Sequence, residues 1–565
     1  MTDFSALVPM PVLLPILGTG ATLMLARYPR AQRIVTVVVL LSVVVLAAVL
    51  LWAADRNGPQ VVWLGGWADL GIALVADRLA ALMLLVSGVV TLAVLLYSLG
   101  QGMTGDESEQ TPVSIYHPTF LVLVAGVSNA FLAGDLFNLF VSFEMLLFAS
   151  YVLLTLGGTA ARVRAGTIYV IVSVTSSMLF LIAIATTYAA AGTLNLAQLA
   201  TRLDDLPTAT ALMIQLLLLV TFAIKAAVFP LSLWLPDSYP TAPAPVTAVF
   251  AGLLTKVGVY AIIRTQTLLF PDSPLSGLLM GAALATMVVG ILGAIAQSDI
   301  KRMLSFTLVS HIGYMIFGIG LGTVAGLAGA VLYVAHHIVI QTVLFLVVGL
   351  IERQAGSTSL LRIGGLARLV PLLGVLFFVP AMNLAGIPPM SGFIGKVALL
   401  QAGLADGSVL ALLLVAGGTL TSLLTLYAVA KTWLLAFWRS PEQAHEMARL
   451  ISSPERADDE ATRPRAHRGH VHVGTVAFAR EDMRTARDVV DPDSSERDLH
   501  QLLAEDALPG RRMPVLMVLP TAGLVLASLS ITVIAGPLVA FTDRTAADLT
   551  ARSPYLEAVQ EAGRR

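Results

Sequence analysis

The chain has 565 residues, of which 57% are hydrophobic and only 12% are charged, and its formal net charge is −1. Soluble domains carry about twice this share of charged residues, so the composition excludes an ordinary soluble protein and indicates a polytopic membrane protein. The absence of cysteine excludes disulfides, thiolate metal sites and cysteine-ligated iron–sulfur clusters.

Apolar runs long enough to cross a membrane predict an all-α protein with fourteen transmembrane helices. The first run lacks the basic start and small-residue cleavage site of a signal peptide, so we interpret it as a retained helix. The cut between the fourth and fifth runs rests on a break at Gly134-Asp135. The predicted spans are 7–26, 34–54, 79–99, 118–133, 134–156, 166–190, 209–229, 243–266, 275–297, 303–321, 323–351, 370–403, 409–437 and 513–541.

Basic residues are distributed unequally between the loops on the two sides of the membrane. The richer side is expected to be cytoplasmic, which places both termini outside. Its ten basic residues are Arg27, Arg30, Arg33, Arg162, Arg164, Lys301, Arg302, Arg353, Arg362 and Arg368. The four on the opposite side are Arg56, Arg78, Arg202 and Arg264.

The segment 439–512 is the longest polar stretch and falls on the cytoplasmic side of this topology. It holds 27 of the 69 charged residues and five of the nine histidines, and it indicates a solvated or partner-facing insertion. His467, His470 and His472, in HRGHVH, form a histidine-rich tract without thiolates, and we predict no metal site there.

Glu144 lies deep in the fifth predicted span, within FNLFVSFEMLLFASYVLL. Counting ten residues from Gly134 places it roughly 15 Å into a hydrocarbon core roughly 30 Å thick. An acid at this depth is costly unless a partner or water stabilises it, and intramembrane charges mark ion and proton pathways. We therefore predict a functional role for Glu144.

Lysine is scarce, and its positions are unusual. Five lysines accompany twenty-nine arginines, and four of the five, Lys225, Lys256, Lys396 and Lys431, lie inside predicted spans. A buried lysine releases its proton readily, whereas arginine does not. Pro230 interrupts the seventh span five residues after Lys225, and a Gly-Ile-Pro-Pro break in the twelfth precedes Lys396. Paired broken helices indicate an ion site in transporters.

The titratable residues recur at similar spacing in two sets of five spans, as Glu144, Lys225 and Lys256 in one set and His311, Lys396 and Lys431 in the other. The intervals are 81 and 31 residues in the first set and 85 and 35 in the second. Because five-helix units face opposite ways, the pattern predicts inverted repeats. The expected units are helices 1–3 (1–117), the two repeats (118–266 and 267–438), the insertion (439–512) and the last helix with an external tail (513–565).

These residues suggest a proton relay. Lys225 is the natural cation for Glu144, because the adjacent break admits water. Lys256 is the expected next carrier, and His311 with the neighbouring His336 and His337 would extend the relay toward Lys396. Adjacent histidines point about 100° apart on a helix, so only one of this pair is expected to face the relay.

Some of these residues also have structural interpretations. Glu144 and Lys225 would also suit a merely structural ion pair, and His311 a hydrogen-bonded core histidine. Lys431, seven residues from Trp438, would reach the membrane interface. Asp135 lies near the outer interface, where it would simply be solvated.

Four ordered motifs resemble the antiporter-like membrane subunits shared by respiratory complex I and the Mrp multisubunit Na+/H+ antiporters. They are FVSFEMLLFASYVLL, FAIKAAVFPLSLWLPDSYPTAPAPVTAVFAGLLTKVGVYAIIR, KRMLSFTLVSHIGYM and LAGIPPMSGFIGKVALL. The resemblance covers roughly residues 75–435 and is nearest to the D-type Mrp subunits, through WLPDSYPTAPAPVTA and LLTKVGVYAIIRT. The chain departs from that pattern in segment 439–512, which is longer than expected for a D-type subunit.

The resemblance implies a multi-pass protein of the bacterial plasma membrane with two inverted five-helix repeats and broken seventh and twelfth helices. It further implies that Glu144 pairs with Lys225, that Lys256 is the central relay lysine and that His336 or His337 links onward to Lys396. The implied partners are other Mrp-type subunits, including A- and C-type subunits, and the implied ions are Na+ and H+. No cofactor is implied.

Other functions remain open from the sequence. The same fold serves as the proton-pumping subunit of complex I-like oxidoreductases and membrane-bound hydrogenases, and neighbouring genes would separate these from an antiporter. A haem- or quinone-binding oxidoreductase subunit would need axial ligands, for which the spans offer one adjacent histidine pair and His311. A structural scaffold would tolerate removal of the buried charges.

Overall fold

The computed structural model of the protein describes residues 4–65, 71–101, 113–444 and 513–564. Within these ranges the chain is an α-helical membrane bundle with one small β-hairpin, which confirms the predicted fold class. The insertion predicted over 439–512 lies outside the described residues from 445 onward, and so do the histidines of HRGHVH.

All fourteen predicted spans are found as helices of the described chain. Thirteen are long and apolar enough to cross a membrane, and the twelfth consists of two shorter half-helices. The spans are α1 (Met10–Met24), α2 (Pro29–Asn57), α3 (Arg78–Gln101), α4 (Val113–Leu132), α5 (Leu136–Thr155), α6 (Ala160–Ala191), α7 (Thr208–Ala226), α8 (Ala244–Leu268), α9 (Ser276–Ala296), α10 (Ile300–Leu321), α11 (Val324–Ala355), α12 (Pro371–Ala385 and Ser391–Asp406), α13 (Val409–Trp438) and α14 (Val515–Val533). Short helices at Ser5–Leu7, Leu196–Arg202, Trp234–Ser238, Tyr239–Thr241 and Leu366–Leu369 lie before or between them.

The break at Gly134-Asp135 is confirmed, because α4 ends at Leu132 and α5 begins at Leu136. Asp135 is the residue that starts α5: its Oδ1 accepts a hydrogen bond from the Asn138 backbone N–H at 2.7 Å. An aspartate in this N-cap position satisfies a backbone donor that the first helical turn leaves free.

Both predicted helix interruptions are present. The helix α7 ends one residue after Lys225, Ala227 takes a left-handed conformation with φ of 57°, and the chain resumes helical structure at Trp234. The two halves of α12 are separated by a turn that begins at Gly386, with φ of 81°. The backbone carbonyls of the terminal turns at such breaks have no intrahelical partner and are free to accept from side chains.

Two strands and two helices of the described chain were not predicted. Strand β1 (Gln60–Leu64) pairs antiparallel with β2 (Ile72–Ala76) between α2 and α3. The expected external tail instead forms two further helices, α15 (Ala535–Ala551) and α16 (Ser553–Arg564). Helix α15 packs on α11, and α16 packs on β1 and the short helix Leu196–Arg202. The chain after α14 is therefore part of the bundle.

The two predicted repeats contain the same local frame. In each repeat this frame starts at an N-cap aspartate, Asp135 or Asp299. The aspartate forms an isolated antiparallel bridge to a residue 60 positions later, Asn195 or Ser359. Each also contains a 32-residue helix, α6 or α11, that ends at a left-handed glycine. The offset between the frames is 164 residues (299 − 135 and 359 − 195). Glu144 and His311 are 167 residues apart (311 − 144), which is three residues more than this offset. Their positions in the two frames therefore differ by nearly one helical turn.

The centre of the bundle is formed by α8, α10 and α11, of which α8 and α11 are buried along their apolar length. A Cβ at Gly258 of α8 would lie 2.7 Å from the backbone nitrogen of Ala226, at the end of α7. Only glycine allows this approach, which brings the helix of Lys256 against the helix of Lys225.

Candidate functional site

Lys225 and Glu144 lie in one region but share no direct ion pair in this structure. The Lys225 Nζ donates to the Ser173 carbonyl at 3.2 Å and to the Ser177 hydroxyl at 3.3 Å, both on α6. It also lies 5.7 Å from the centre of the Phe143 ring. The Glu144 charge acts on Lys225 electrostatically, while Glu144 Oε1 is buried and accepts no hydrogen bond from the described residues. In this conformation the two side chains are apart, and their pairing stays a prediction.

A small cavity adjoins Lys225. It measures about 30 Å³, as space open to the centre of a water molecule. Its wall includes Ser173, Tyr169, Trp234 and Tyr239 beside apolar side chains. A single water needs about 10–15 Å³ on this measure, so the cavity has room for about two. Trp234 belongs to the short helix after the break in α7, and the break therefore borders a space that suits water.

Lys256 is fully buried in α8, with no exposed surface. Its Nζ donates to the Ala251 carbonyl at 2.5 Å. Ala251 lies in a π-helical turn, Phe250–Leu254, which interrupts the regular hydrogen-bond ladder of α8. Turns of this kind are frequent at functional sites because they change which backbone groups are free. The ammonium is thus stabilised by a backbone carbonyl and not by a carboxylate.

The side chains of His311 on α10 and of Tyr333, His336 and His337 on α11 form a buried cluster of rings, called the ring cluster below. The Nδ1 of His311 and the hydroxyl of Tyr333 are 2.5 Å apart, and their rings stack at 5.9 Å between centroids. His337 lies 5.1 Å from His311, and His336 lies 5.6 Å from Tyr333, again between ring centroids. The His336 Nδ1 is 3.0 Å from the Ser391 hydroxyl, at the start of the second half of α12. The cluster thus connects α10 to the break in α12.

Both histidines of the adjacent pair face this cluster, so the expectation that only one would do so is wrong. Tyr333 precedes His336 by three residues and His337 by four, so both imidazoles lie on its side of α11. The 100° between them matters little because α11 is surrounded by protein: His337 turns toward α10 and His336 toward α12. The Nε2 atoms of His311 and His336 and both ring nitrogens of His337 are buried without hydrogen bonds in the described chain.

Lys396 lies directly after the break in α12 and caps the half-helix before it. Its Nζ donates to the carbonyls of Leu384 at 3.1 Å and Ala385 at 3.0 Å, and to the Ser422 hydroxyl at 3.0 Å. The Tyr314 ring is 5.1 Å from the ammonium. The same Tyr314 ring lies 5.7 Å from the His311 ring and 5.4 Å from the Tyr333 ring, so Lys396 adjoins the ring cluster.

Lys431 and Asp135 stabilise helix ends. The Lys431 Nζ donates to the carbonyls of Ile295 and Gln297, each at 3.0 Å, at the C-terminal end of α9. A cation at a helix C-terminus is favourable for the helix dipole. Asp135 is the N-cap of α5, and burial raises the pKa of its carboxyl to about 6 against the opposing hydrogen bond from Asn138. Neither residue contacts the cluster of rings.

Sequence reasoning missed the tyrosines and the small polar residues of the site. Tyr333 is the hub of the ring cluster, and Ser391 and the amide of Asn383 connect His336 to the break in α12. The signal for Tyr333 was its helical spacing of three and four residues from His336 and His337. Ser391 carried no comparable signal, because its contact depends on how α11 and α12 pack.

Arg264 was also misassigned. It was predicted to be an outer loop residue, but it lies in the last two turns of α8 with 3% exposure and binds Asp77. Lys301, predicted in a loop, is the second residue of α10 and pairs with Glu352 at 2.8 Å.

The arrangement has the chemistry of proton transfer. Amines, imidazoles and hydroxyls both donate and accept protons, and here such buried groups occur on α8, α10, α11 and α12. Lys225 and Lys256 share no hydrogen bond, but α7 and α8 are in backbone contact beside the cavity of Lys225. The wall of that cavity includes Lys225 and Phe143, the residue before Glu144.

Comparison with known proteins gives a consistent result. The family model described as NADH:quinone oxidoreductase/Mrp antiporter, TM matches residues 133–425. The D-type subunit of the Na(+)/H(+) antiporter of Alkalihalophilus pseudofirmus is 40% identical over 447 residues, which are 78% of this chain and 89% of the relative. The D-type subunit of the Na(+)/H(+) antiporter of Bacillus subtilis is 37% identical over 453 residues, which are 79% and 90% of the two chains.

Solved structures show the same fold. A chain in the Mrp complex from Dietzia sp. DQ12-45-1b matches with a TM-score of 0.82 and 31% identity, covering 99% of this chain and 100% of that chain. A chain of the archaeal membrane-bound sulfane sulfur reductase, a respiratory membrane complex, matches with a TM-score of 0.78 and 22% identity at the same coverage. At 22% identity the second likeness shows the fold alone.

Proposed function

Because the chain belongs to the NADH:quinone oxidoreductase/Mrp antiporter family, as a subunit of a multisubunit antiporter, we propose that it carries protons through the membrane along its buried polar groups. The proton current would drive Na+ export, as the names of the Na(+)/H(+) antiporter relatives suggest. The observation that carries the proposal is the ring cluster between two buried lysines, Lys256 and Lys396.

The chemistry of this line suits protons and opposes sodium. Na+ is a hard cation that requires oxygen ligands, in the manner of other hard metal ions. The line from Lys256 to Lys396 instead presents ammonium groups and imidazole nitrogens, and it contains no carboxylate among the residues described. A protonated lysine would repel Na+ in a low-dielectric interior. We therefore assign H+ to this line and place the Na+ path elsewhere in the assembled complex.

Glu144 would act as the movable counter-charge of Lys225. In this structure the ammonium is bound by Ser173 and Ser177, and the carboxylate is close enough to influence it without touching it. Movement of Lys225 from the serines to Glu144 would hold its proton, and movement back would favour release toward the cavity. Lys256 would receive that proton through water, and His337, His311, Tyr333 and His336 would pass it to Lys396.

The surroundings of the chain follow from the same family membership. We propose Mrp-type partners, including A- and C-type subunits, and location in a bacterial plasma membrane with both termini outside. We propose that the chain performs no redox reaction itself and binds no cofactor.

The test uses the assembled complex in everted membrane vesicles. Protons are loaded by respiration, Na+ is added, and the recovery of a pH-sensitive dye reports exchange. Glu144→Gln should abolish recovery while the chain remains assembled in the complex. Glu352→Gln is the matched control, since Glu352 lies at the end of α11 with a 42% exposed side chain and pairs with Lys301, away from the ring cluster. Full exchange in the Glu144 variant would remove this residue from the path.

A further inference from the structure

Three aromatic side chains that carry a polar atom line the cavity beside Lys225, and two of them already have hydrogen-bond partners. The Trp234 Nε1 donates to a backbone carbonyl of α7 at 3.2 Å, and the Tyr169 hydroxyl is 2.7 Å from a serine hydroxyl of α5. The third side chain is Tyr239, which is fully buried and whose hydroxyl has no hydrogen-bond partner among the described residues. The proposed function does not use this hydroxyl.

Neighbouring rings hold Tyr239 in place. Its ring centroid lies 5.7 Å from that of Trp234, with the two planes nearly perpendicular, and 5.7 Å from that of Phe250. Trp234 begins the short helix after the break in α7, and Phe250 begins the π-helical turn of α8. Tyr239 is therefore fixed between the break that follows Lys225 and the helix that carries Lys256.

The Lys225 ammonium has one N–H group without a partner at the same cavity. A protonated lysine has three N–H donors. Two of them are used, because the Nζ donates to the Ser173 carbonyl at 3.2 Å and to the Ser177 hydroxyl at 3.3 Å. The third has no hydrogen-bond acceptor among the described residues. A donor of Lys225 and the hydroxyl of Tyr239 are thus both unsatisfied, and both side chains line one cavity.

Water satisfies both groups. A buried hydroxyl without a partner is costly, and ordered water is a common partner for such a group. The cavity measures about 30 Å³ and has room for about two waters. One water can accept the third N–H of Lys225 and share a hydrogen bond with the Tyr239 hydroxyl. With the second water as its neighbour, it would have three partners, the usual number for a buried water.

We propose that Tyr239 is a positioning residue that holds a water against the Lys225 ammonium, and that this water is the first acceptor of the Lys225 proton. In the transfer, an N–H bond of Lys225 breaks and an O–H bond forms on the water. That water gives one of its own protons to the second water. Lys225 becomes neutral, and Tyr239 keeps its hydroxyl proton throughout.

The position of the cavity suits transfer toward the next lysine of the line. Leu254, in the π-helical turn of α8, forms part of the cavity wall, so the cavity reaches the helix of Lys256. This inference rests on the proposed function, since it assumes that Lys225 gives up a proton.

The first test detects the water without measuring transport. A high-resolution map of the assembled complex should show a water within hydrogen-bond distance of both the Lys225 Nζ and the Tyr239 hydroxyl, and Tyr239→Phe should lose it. Tyr239→Phe should also lower the melting temperature of the complex. Removal of an unpartnered hydroxyl from a dry site should instead raise it. A dry cavity in the map, or a higher melting temperature of the variant, would overturn the proposal.

The second test measures Na+/H+ exchange in everted vesicles at equal content of the assembled chain. Tyr239→Phe should lower the maximal rate at least about tenfold, as expected when a proton acceptor is no longer positioned. The Na+ concentration that gives half of the maximal rate should not change, because the line is assigned to H+. Tyr169→Phe is the matched control, since it removes a hydroxyl of the same wall that is already paired with Ser150. It should retain most of the exchange.

A third variant separates this inference from the proposed function. If Lys225→Met retains exchange, the proposed function fails. If Lys225→Met abolishes exchange while Tyr239→Phe and Tyr169→Phe exchange equally well, only the role of Tyr239 fails. Loss of exchange in Lys225→Met and Tyr239→Phe, with exchange retained in Tyr169→Phe, would support both.

Discussion

Replacing Tyr333 with phenylalanine removes a single oxygen from the centre of the ring cluster. That oxygen lies 2.5 Å from the His311 Nδ1, and it is the only hydrogen-bond partner of the His311 ring in the described structure. The phenyl ring would keep its stacking at 5.9 Å on His311 and its contact with His336. The substitution therefore tests the hydroxyl as a proton carrier and leaves the packing of α10 against α11 unchanged.

The expected losses of stability and of exchange follow from the burial of Tyr333 and His311. Both side chains are fully buried, so the substitution leaves a buried imidazole nitrogen without a hydrogen-bond partner. This should cost about 1–3 kcal/mol of stability. One removed oxygen leaves too little room for a water in a close-packed core, so the broken link would not be bridged by solvent. Loss of a positioned proton donor or acceptor typically costs about 10²–10⁴ in the step that uses it. We expect exchange to fall at least about tenfold.

Tyr314→Phe is the matched control. The Tyr314 hydroxyl donates to the Gly418 carbonyl and lies 2.9 Å from the Thr421 hydroxyl, while its ring, which phenylalanine keeps, lies 5.7 Å from the His311 ring. Its loss should cost similar stability and leave exchange nearly unchanged. Exchange in everted vesicles is compared at equal content of the chain, with thermal unfolding of each purified complex. Equal exchange in the two variants would refute the assignment of Tyr333 as a carrier.

Two further predictions concern the frame around the site. Lys431→Met should lower stability by about 1–3 kcal/mol, because two carbonyls at the end of α9 lose their ammonium donor. Exchange should be retained in this variant. Abolished exchange at normal assembly would place Lys431 in the path. Gly258→Ala should lower the melting temperature and exchange together, since its Cβ would approach backbone atoms of Ala226 at 2.7 Å and overpacking costs about 1–3 kcal/mol. Gly277→Ala, with no atom within 4 Å of its Cβ in the described structure, is the control, and equal effects of the two would show that the α7–α8 contact tolerates a methyl group.

Hydropathy and helix breakers were sufficient to predict the fourteen spans and both interruptions. The reason is local: a membrane span requires a continuous apolar run, and a proline or glycine marks a helix end within about one turn, as Pro230 does for α7 and Gly386 for the first half of α12. The hairpin β1–β2 and the helices α15 and α16 were missed because their stability comes from contacts with distant parts of the chain. Asp548, for example, contacts Arg78, 470 residues away.

The site was predictable as a set of residues but not as a set of contacts. Burial of Lys256 and Lys396 followed from their apolar surroundings, whereas their actual partners are backbone carbonyls, which no side-chain pattern reveals. Arg264 shows the opposite error. It falls near the end of an apolar run and counts as a loop charge, and only the tertiary fold brings it to Asp77, the residue between β2 and α3 that holds it inside.

The choice of acceptors for the four lysines inside the spans supports proton exchange over static ion pairing. Lys225, Lys256, Lys396 and Lys431 all donate to backbone carbonyls, with added hydroxyls at Lys225 and Lys396. A neutral amine still donates to a carbonyl, so these contacts survive loss of the proton, whereas a carboxylate partner would be left as an unpaired buried anion. Lys301, near the start of α10, is paired with a carboxylate and lies away from the line.

In the proposed path, Glu144 would be the exception that gives the line a direction. Among the described residues it is the one acid whose charge acts on a lysine of the line, and it lies apart from Lys225 in this conformation. A lysine that alternates between neutral acceptors and a movable anion holds its proton in one position and releases it in the other. The remaining lysines of the line, bound to neutral acceptors, would pass the proton on without needing a counter-charge of their own.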